Sequence, residues 1–146
     1  MNEFETVTVI NCPVSKVFSA MENFGRYPDW NPAAVEVRRG EDGPLAVGST
    51  VVYVGRFLGR NFESTSEYVE YVPNERFATK TTSGPFHLEI DNTFEVVDGG
   101  TRLTSLYKGE SQGFFKLAEP VVVRMTKRQF ETATENLKEL LEADAL

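Results

Sequence analysis

Hydrophobic and polar positions along the chain change period twice. Residues 3–10 alternate, and Thr6-Val7-Thr8-Val9-Ile10 is rich in β-branched side chains, which predicts a strand. After Pro13 the spacing turns helical: Val14, Val17, Phe18 and Met21 fall at i, i+3, i+4 and i+7. Pro13 suits a first helical turn, where a missing N–H costs nothing. Phe24 to Trp30 predicts a second short helix or helical turn. It should stop near Tyr27-Pro28, because proline disfavours helical geometry in the residue before it.

From Ala33 to Glu110 the period is two. Strands are predicted at 33–39, 49–58, 61–72, 76–83, 87–97 and 101–110. The breaks between them carry turn chemistry, as in Leu58-Gly59-Arg60-Asn61, Pro73-Asn74-Glu75 and Asp98-Gly99-Gly100. Breaks this short imply antiparallel hairpins. Residues 113–142 return to helical spacing. Phe114, Leu117, Val121 and Met125 form one apolar line, continued by Phe130, Ala133, Leu137 and Leu141. That spacing predicts roughly 45 Å of helix at 1.5 Å per residue. Pro120 either begins the main part of this helix or bends it. A helix of this kind buries its apolar face against the sheet. The chain therefore reads as one α+β domain over residues 1–146. Its architecture is a curved seven-stranded antiparallel sheet wrapped around a long C-terminal helix, with two short helices after the first strand.

Strand parity divides the sheet residues into two faces. His87, Glu89, Asp91 and Glu95 share one face of their strand, so Leu88, Ile90, Asn92, Phe94 and Val96 point inward. By the same rule Leu103, Ser105 and Tyr107 face in, as do Phe62, Ser64, Ser66 and Tyr68, and Phe77, Thr79 and Thr81. For 49–58, parity leaves open Val51/Tyr53/Gly55/Phe57 and Val52/Val54/Arg56/Leu58. The inward set is apolar with a scatter of hydroxyls and one amide. Such groups need partners when buried, whether each other, water or a ligand. A largely apolar wall with a few polar groups is also the make-up of a small-molecule pocket.

Composition narrows the chemistry. The 146 residues carry a net charge of -7, one Cys and one His. A single Cys forms no intrachain disulfide, and one Cys with one His falls short of the usual four ligands of a structural zinc site. An acidic chain lacks the basic face that nucleic-acid binding needs. The longest apolar run, Val51 to Val54, is far too short for a membrane span. The acidic start, Met1-Asn2-Glu3-Phe4-Glu5, lacks the pattern of a signal peptide. These features predict a cytoplasmic protein with no metal, no cofactor, no nucleic-acid partner and no integral membrane segment, and they leave a homodimer open. His87 is the first suspect for acid–base chemistry, yet parity places it outside beside carboxylates. Glu89, Asp91 and Glu95 read as a solvated acidic face, Cys12 as a small buried residue at a strand–helix joint, and Trp30 as a cap on one end of the core.

Several segments together carry a family resemblance. They are Val9-Ile10-Asn11-Cys12-Pro13-Val14-Ser15-Lys16-Val17-Phe18, Phe24-Gly25-Arg26-Tyr27-Pro28-Asp29-Trp30-Asn31-Pro32, Val47-Gly48-Ser49, Gly99-Gly100-Thr101-Arg102-Leu103-Thr104 and Leu137-Lys138-Glu139-Leu140-Leu141-Glu142. In this order and spacing the sequence resembles the START-domain/polyketide cyclase (SRPBCC) superfamily, which has the helix-grip fold, over essentially its whole length. The resemblance implies a cavity between sheet and C-terminal helix that holds a small hydrophobic ligand: a lipid, quinone, polyketide or aromatic compound. The matched segments are scaffold motifs, so no catalytic residue transfers from it. Candidate ligand-binding residues are Tyr68, Asn92, Phe94, Ser105 and Tyr107 from the strands and Phe114, Val121 and Met125 from the helix. Gly113-Phe114-Phe115 is a candidate apolar rim for ligand entry. Binding is the leading reading. The alternatives are a polyketide aromatase/cyclase-type enzyme, for which no catalytic constellation is visible, and an accessory protein resembling carbon monoxide dehydrogenase maturation subunits.

Overall fold

The computed structural model describes residues 2–111 and 113–146, with the side chains of 113–115 outside the described set. Strand β1 (Asn2–Ile10) leads into helix α1 (Val14–Glu22), a 3-10 turn (Phe24–Arg26) and helix α2 (Tyr27–Trp30). Six strands follow: β2 (Ala34–Arg39), β3 (Thr50–Phe57), β4 (Arg60–Val72), β5 (Arg76–Ser83), β6 (Phe86–Val97) and β7 (Gly100–Ser111). A second 3-10 turn (Gly113–Ala118) precedes helix α3 (Glu119–Glu142).

The strands form one seven-stranded sheet in the order β1-β7-β6-β5-β4-β3-β2. Every pairing is antiparallel. Consecutive strands from β2 to β7 are hairpin neighbours, as the short breaks predict. β1 closes onto β7 at one edge. Register shifts between Ala34 and Glu36 in β2, and at Thr65/Ser66 and Tyr68/Glu70 in β4, add local bends. Bulges of this kind increase twist, and the sheet curls into a half-barrel whose concave face receives α3. At the β6–β7 turn the backbone passes so close to β1 that a Cβ on Gly100 would lie 2.1 Å from the Ile10 carbonyl oxygen, a contact that only glycine avoids.

Two boundary expectations are corrected. The second short helix does not stop at Tyr27: that residue is helical (φ -51, ψ -44), and α2 runs to Trp30. Pro28 stands in the first turn of α2, where its absent N–H is not needed. The C-terminal helix is also shorter than 113–142. Pro120 lies in the first turn of α3, so it starts the helix rather than bending it. The 24 residues of α3 span roughly 36 Å.

The main core lies where α1, α2 and the C-terminal half of α3 meet the sheet. It gathers Ile10, Val17, Phe18, Leu103, Leu137 and Leu141 among others. A smaller cluster, Phe57, Phe86 and Val122, lies apart from it. The open parity of β3 resolves to the odd set, since Val51 and Phe57 are buried and Val52 and Val54 are not. Val96 departs from its inward assignment: it stands 76% exposed at the β6–β7 hairpin end, beyond the helical cover. No helix among the described residues is long and apolar enough to cross a membrane.

Leu137, 1% exposed, anchors α3 to this core, whereas Leu117 is 89% exposed. Leu137→Ala is expected to cost about 2–5 kcal/mol, and Leu117→Ala less than about 0.5 kcal/mol. Urea unfolding measures both, and similar losses would contradict the packing.

Candidate ligand-binding site

The concave face of the sheet and α3 enclose a cavity of about 220 Å³. One water needs only about 10–15 Å³, so the space is of ligand size. It exists because the wall opposite the helix is built from short side chains. Ser64, Ser66, Thr79, Thr81 and Ser105 all line it from inward positions of β4, β5 and β7, and none reaches across to α3.

Aromatic rings frame this space. Tyr107, Phe4 and Phe130 of α3 form a three-ring cluster in which every pair touches: Tyr107 is stacked on Phe4 at 4.7 Å and on Phe130 at 4.2 Å, and Phe4 meets Phe130 at 6.0 Å. At another side Phe86 meets Phe57 and Phe62 edge-on at 5.4 and 4.8 Å. Gly55 allows that corner: a Cβ there would lie 2.5 Å from the Tyr53 ring and 2.7 Å from that of Phe62. Tyr27 and Trp30, with rings 4.4 Å apart, contribute from α2.

Most polar groups of the cavity are neutral; the charged residues on its lining are Arg56 and Glu110, both exposed, and Glu119. Ser105 Oγ donates to Asn92 Oδ1 at 2.6 Å across the β6–β7 ladder, where the two residues face each other in register. Four phenols, Tyr27, Tyr53, Tyr68 and Tyr107, line the same space. Burial pushes each of them up, Tyr53 to about 12 against the lowering effect of Asn31. For Tyr27 the neighbouring phenols of Tyr68, Tyr107 and Tyr53 add to that effect. For Tyr107 the hydroxyls of Ser105, Thr6 and Thr134 oppose it. All four are therefore proton donors at neutral pH. The Trp30 indole N–H is buried without a hydrogen-bond partner among the described residues.

Charge stays at the border. Glu119 accepts hydrogen bonds from Asn2 Nδ2 and the Ser111 N–H and pairs with Lys116 at 2.7 Å. Lys116 and the Ser111 N–H hold the Glu119 carboxyl below its usual range. Among the described residues no group of three His, Cys, Asp or Glu is placed to hold a metal.

The residues expected from sequence divide as follows. Tyr68, Asn92, Ser105 and Tyr107 stand on the cavity wall. Phe94 does not: it packs edge-on against Phe18 at 5.1 Å in the core below. Val121 is corrected to an outward position, 43% exposed. Because α3 starts at Glu119, Val122 takes the inward phase. Met125 packs on the Phe57–Phe86–Val122 cluster. The Phe114 and Phe115 side chains lie outside the described residues. Parity did not reach Tyr53 or Phe57, because β3 alternates in both phases. Phe4, Tyr27 and Phe130 read in sequence only as core aromatics. His87 is absent from the wall. Cys12 is buried, which pushes its thiol up.

A curled antiparallel sheet gripping a helix around an apolar cavity defines the helix-grip class of pocket proteins. The chain belongs to the polyketide cyclase/dehydrase and lipid transport family, whose pattern matches residues 1–142. Solved structures share the fold. A protein from Thermus thermophilus is 16% identical, with TM-score 0.83 over 99% of this chain and 100% of its own. A START superfamily protein from Mycobacterium smegmatis is 16% identical, with TM-score 0.77 over 97% of both chains. The Zhui aromatase/cyclase from Streptomyces sp. R1128 is 16% identical, with TM-score 0.77 over 97% of this chain and 93% of its own. No curated protein matches the sequence.

The phenols predict a specific alkaline behaviour. Tyr71, outside the cavity, is also raised, to about 12, by burial and by donating to Glu22. An unfolded phenol ionises near pH 10. Because the folded values are raised, their contribution to stability is complete below about pH 10 and is lost as pH rises from there through the folded values. Absorbance at 295 nm should therefore stay low near pH 10.5 while the circular dichroism is native. A phenolate signal with a midpoint at pH 10 in the folded protein would contradict the burial of these rings.

Proposed function

We propose that the protein binds a small, neutral, hydrophobic molecule carrying rings and hydrogen-bond acceptors. The observation that carries this reading is the cavity itself, walled by aromatic rings and furnished with neutral donors, its charged lining residues being the exposed Arg56 and Glu110 and the Lys116-paired Glu119. Stacked Phe4, Tyr107 and Phe130 suit a planar ring. Four phenols, all protonated, suit carbonyl or hydroxyl oxygens. An ionised group deep in such a space would face a desolvation cost, since Arg56, the one cation among the described lining residues, is exposed; this disfavours fatty acids in ionised form and favours polyketide-like, quinone-like or sterol-like molecules. The polarity of the donors is the discriminating feature: a purely aliphatic chain would add nothing to the protein partners they have, Asn31 for Tyr53 and Ser105, Thr6 and Thr134 for Tyr107.

A second reading is an aromatase/cyclase-type reaction. The convergence of phenols favours it, since buried donors aimed at a carbonyl stabilise a developing enolate. The family description and the aromatase/cyclase neighbour give it weight as an analogy of fold. Cyclisation also needs a base, and the two carboxylates on the described lining are Glu110, which is exposed, and Glu119, which is paired with Lys116. Binding is thus the reading we adopt. The accessory-protein reading expected a collapsed cavity, in contrast to the open one here. The single buried Cys12 fits a reducing compartment such as the cytoplasm.

Native mass spectrometry of the purified protein tests the proposal: a co-purifying neutral compound supports it. With that compound as probe, Tyr107→Phe should weaken binding about five- to tenfold, the worth of one hydrogen bond, at little cost in stability. His87→Ala should leave affinity unchanged. Equal affinity of Tyr107→Phe and the parent protein would remove the phenol from the site.

A further inference from the structure

We propose that the outward face of the N-terminal half of α3 is a docking surface for an anionic lipid bilayer. The chain as a whole has a net charge of -7, yet the stretch from Lys116 to Arg128 contains Lys116, Arg124, Lys127 and Arg128 against Glu119 alone. Lys116 is engaged by Glu119 at 2.7 Å. Arg124, Lys127 and Arg128 are exposed and form no ion pair among the described residues. Elsewhere Lys16, Arg26, Arg38, Arg76, Arg102 and Lys138 each have a carboxylate partner, and the cations without an ion pair among the described residues, Arg39, Arg56, Lys80 and Lys108, are spread over β2, β3, β5 and β7. Three adjacent unpaired cations are thus concentrated in one place on an acidic protein.

Aliphatic surface adjoins them. Leu117 is 89% exposed and Val121 43% exposed. Val121, Arg124 and Arg128 lie at i, i+3 and i+7, on one helix face. Cations beside an exposed aliphatic residue are the two elements of an interfacial segment, and neither suffices alone. The patch is bounded, since Glu131 and Glu135 follow on the next turns. Glu131, at i+3 from Arg128 and i+4 from Lys127, offsets part of the patch; at physiological ionic strength charges beyond about 8 Å are screened, so Arg124, Lys127 and Arg128 leave the face net positive.

The same helix segment is the loosest part of the cavity wall. Between Val122 and Ala133 no residue of α3 is buried, because the inner face there, with Val123, Thr126 and Gln129, looks onto the cavity. A bilayer engaging the outer face would therefore act on the element that separates cavity from lipid.

Co-sedimentation of the full chain with vesicles tests this. Binding is expected to phosphatidylglycerol-containing vesicles, weakened by salt, and not to pure phosphatidylcholine. The triple variant Arg124→Gln, Lys127→Gln, Arg128→Gln should lower the partition coefficient about a hundredfold, as each cation near an anionic surface contributes about 1 kcal/mol. Leu117→Asp should also reduce it, whereas Lys80→Gln, away from α3, should not. All these side chains are partly or fully solvent-exposed, and circular dichroism verifies the fold. No preference for anionic vesicles would overturn the proposal, as would a triple variant that binds like the parent. Capture of an acidic protein without vesicle binding would overturn it too.

Discussion

The structure depends on a clasp at one end of α3. Ala133, Leu137 and Leu141 enter the main core with Ile10, Val17 and Leu103. Polar contacts tie the same half of the helix to its surroundings. The Glu142 carboxylate accepts the Asn11 N–H at 2.8 Å and pairs with Lys138, whose ammonium donates to the Val9 carbonyl at 2.6 Å. Asn136 donates to the Trp30 carbonyl at 3.2 Å. This end fixes the helix against edge strand β1 and against α2 together. The remaining turns are carried across the concave sheet with little burial of their own. The cavity follows from that geometry: one half of the helix is clamped, and the half-barrel under the other half is too deep for one helix to fill.

Why the space does not collapse is a matter of side-chain length. Inward positions of β4, β5 and β7 hold Ser and Thr where long aliphatic residues would have met α3, while Gly55 and Gly109 admit neighbouring side chains, the rings of Tyr53 and Phe62 over one and Leu88 over the other. The two apolar clusters then sit apart, and the aromatic rings that border the cavity pack mostly on one another. Empty volume costs stability, and so does every hydroxyl turned into an apolar space. The Asn92–Ser105 bond lowers the second cost, and the clasp bears the first. The charged residues on the lining are few, Arg56, Glu110 and Glu119; Arg39 lies off the lining, its Nε and Nη2 buried without partners among the described residues. It lies close enough to Tyr68 and Tyr71 to draw both phenols downward, though burial outweighs it.

Much of this was legible in the residues. Where one strand face carries charges, as His87, Glu89 and Asp91 do on β6, period-two alternation fixes the other face, and Tyr68, Asn92, Ser105 and Tyr107 follow onto the wall. Where alternation is weak it fails: Val51 to Val54 is apolar in both phases, so the side of Tyr53 awaited tertiary packing. Phe94 has the right parity and the wrong depth, because parity gives a face and not a position along the strand. The helix residues suffered differently. A line drawn through Phe114, Leu117, Val121 and Met125 assumes one unbroken helix, and Pro120 resets the phase at Glu119. Contributions from α1 and α2, such as Tyr27, required knowledge of which end of the half-barrel those short helices close.

The stack of Phe4, Tyr107 and Phe130 stands where the clasped and unclasped halves of α3 join. Phe130 is one turn before Ala133, the first buried residue of the clasp. On its other side lies the stretch to Val122 with no buried residue. A motion of the unclasped half would pivot near Phe130, since displacing Ala133 or Leu137 would open the main core. Such a motion would leave Phe4 on Tyr107, because those two rings belong to paired strands, Phe4 facing Tyr107 in the β1–β7 register. Phe130, which meets Tyr107 at 4.2 Å and Phe4 at 6.0 Å, is the member of the cluster that would move with the helix. The ring of a bound molecule and the ring of Phe130 would then compete for the same Phe4–Tyr107 surface, so the helix residue at the pivot is also the one that a ligand ring would displace.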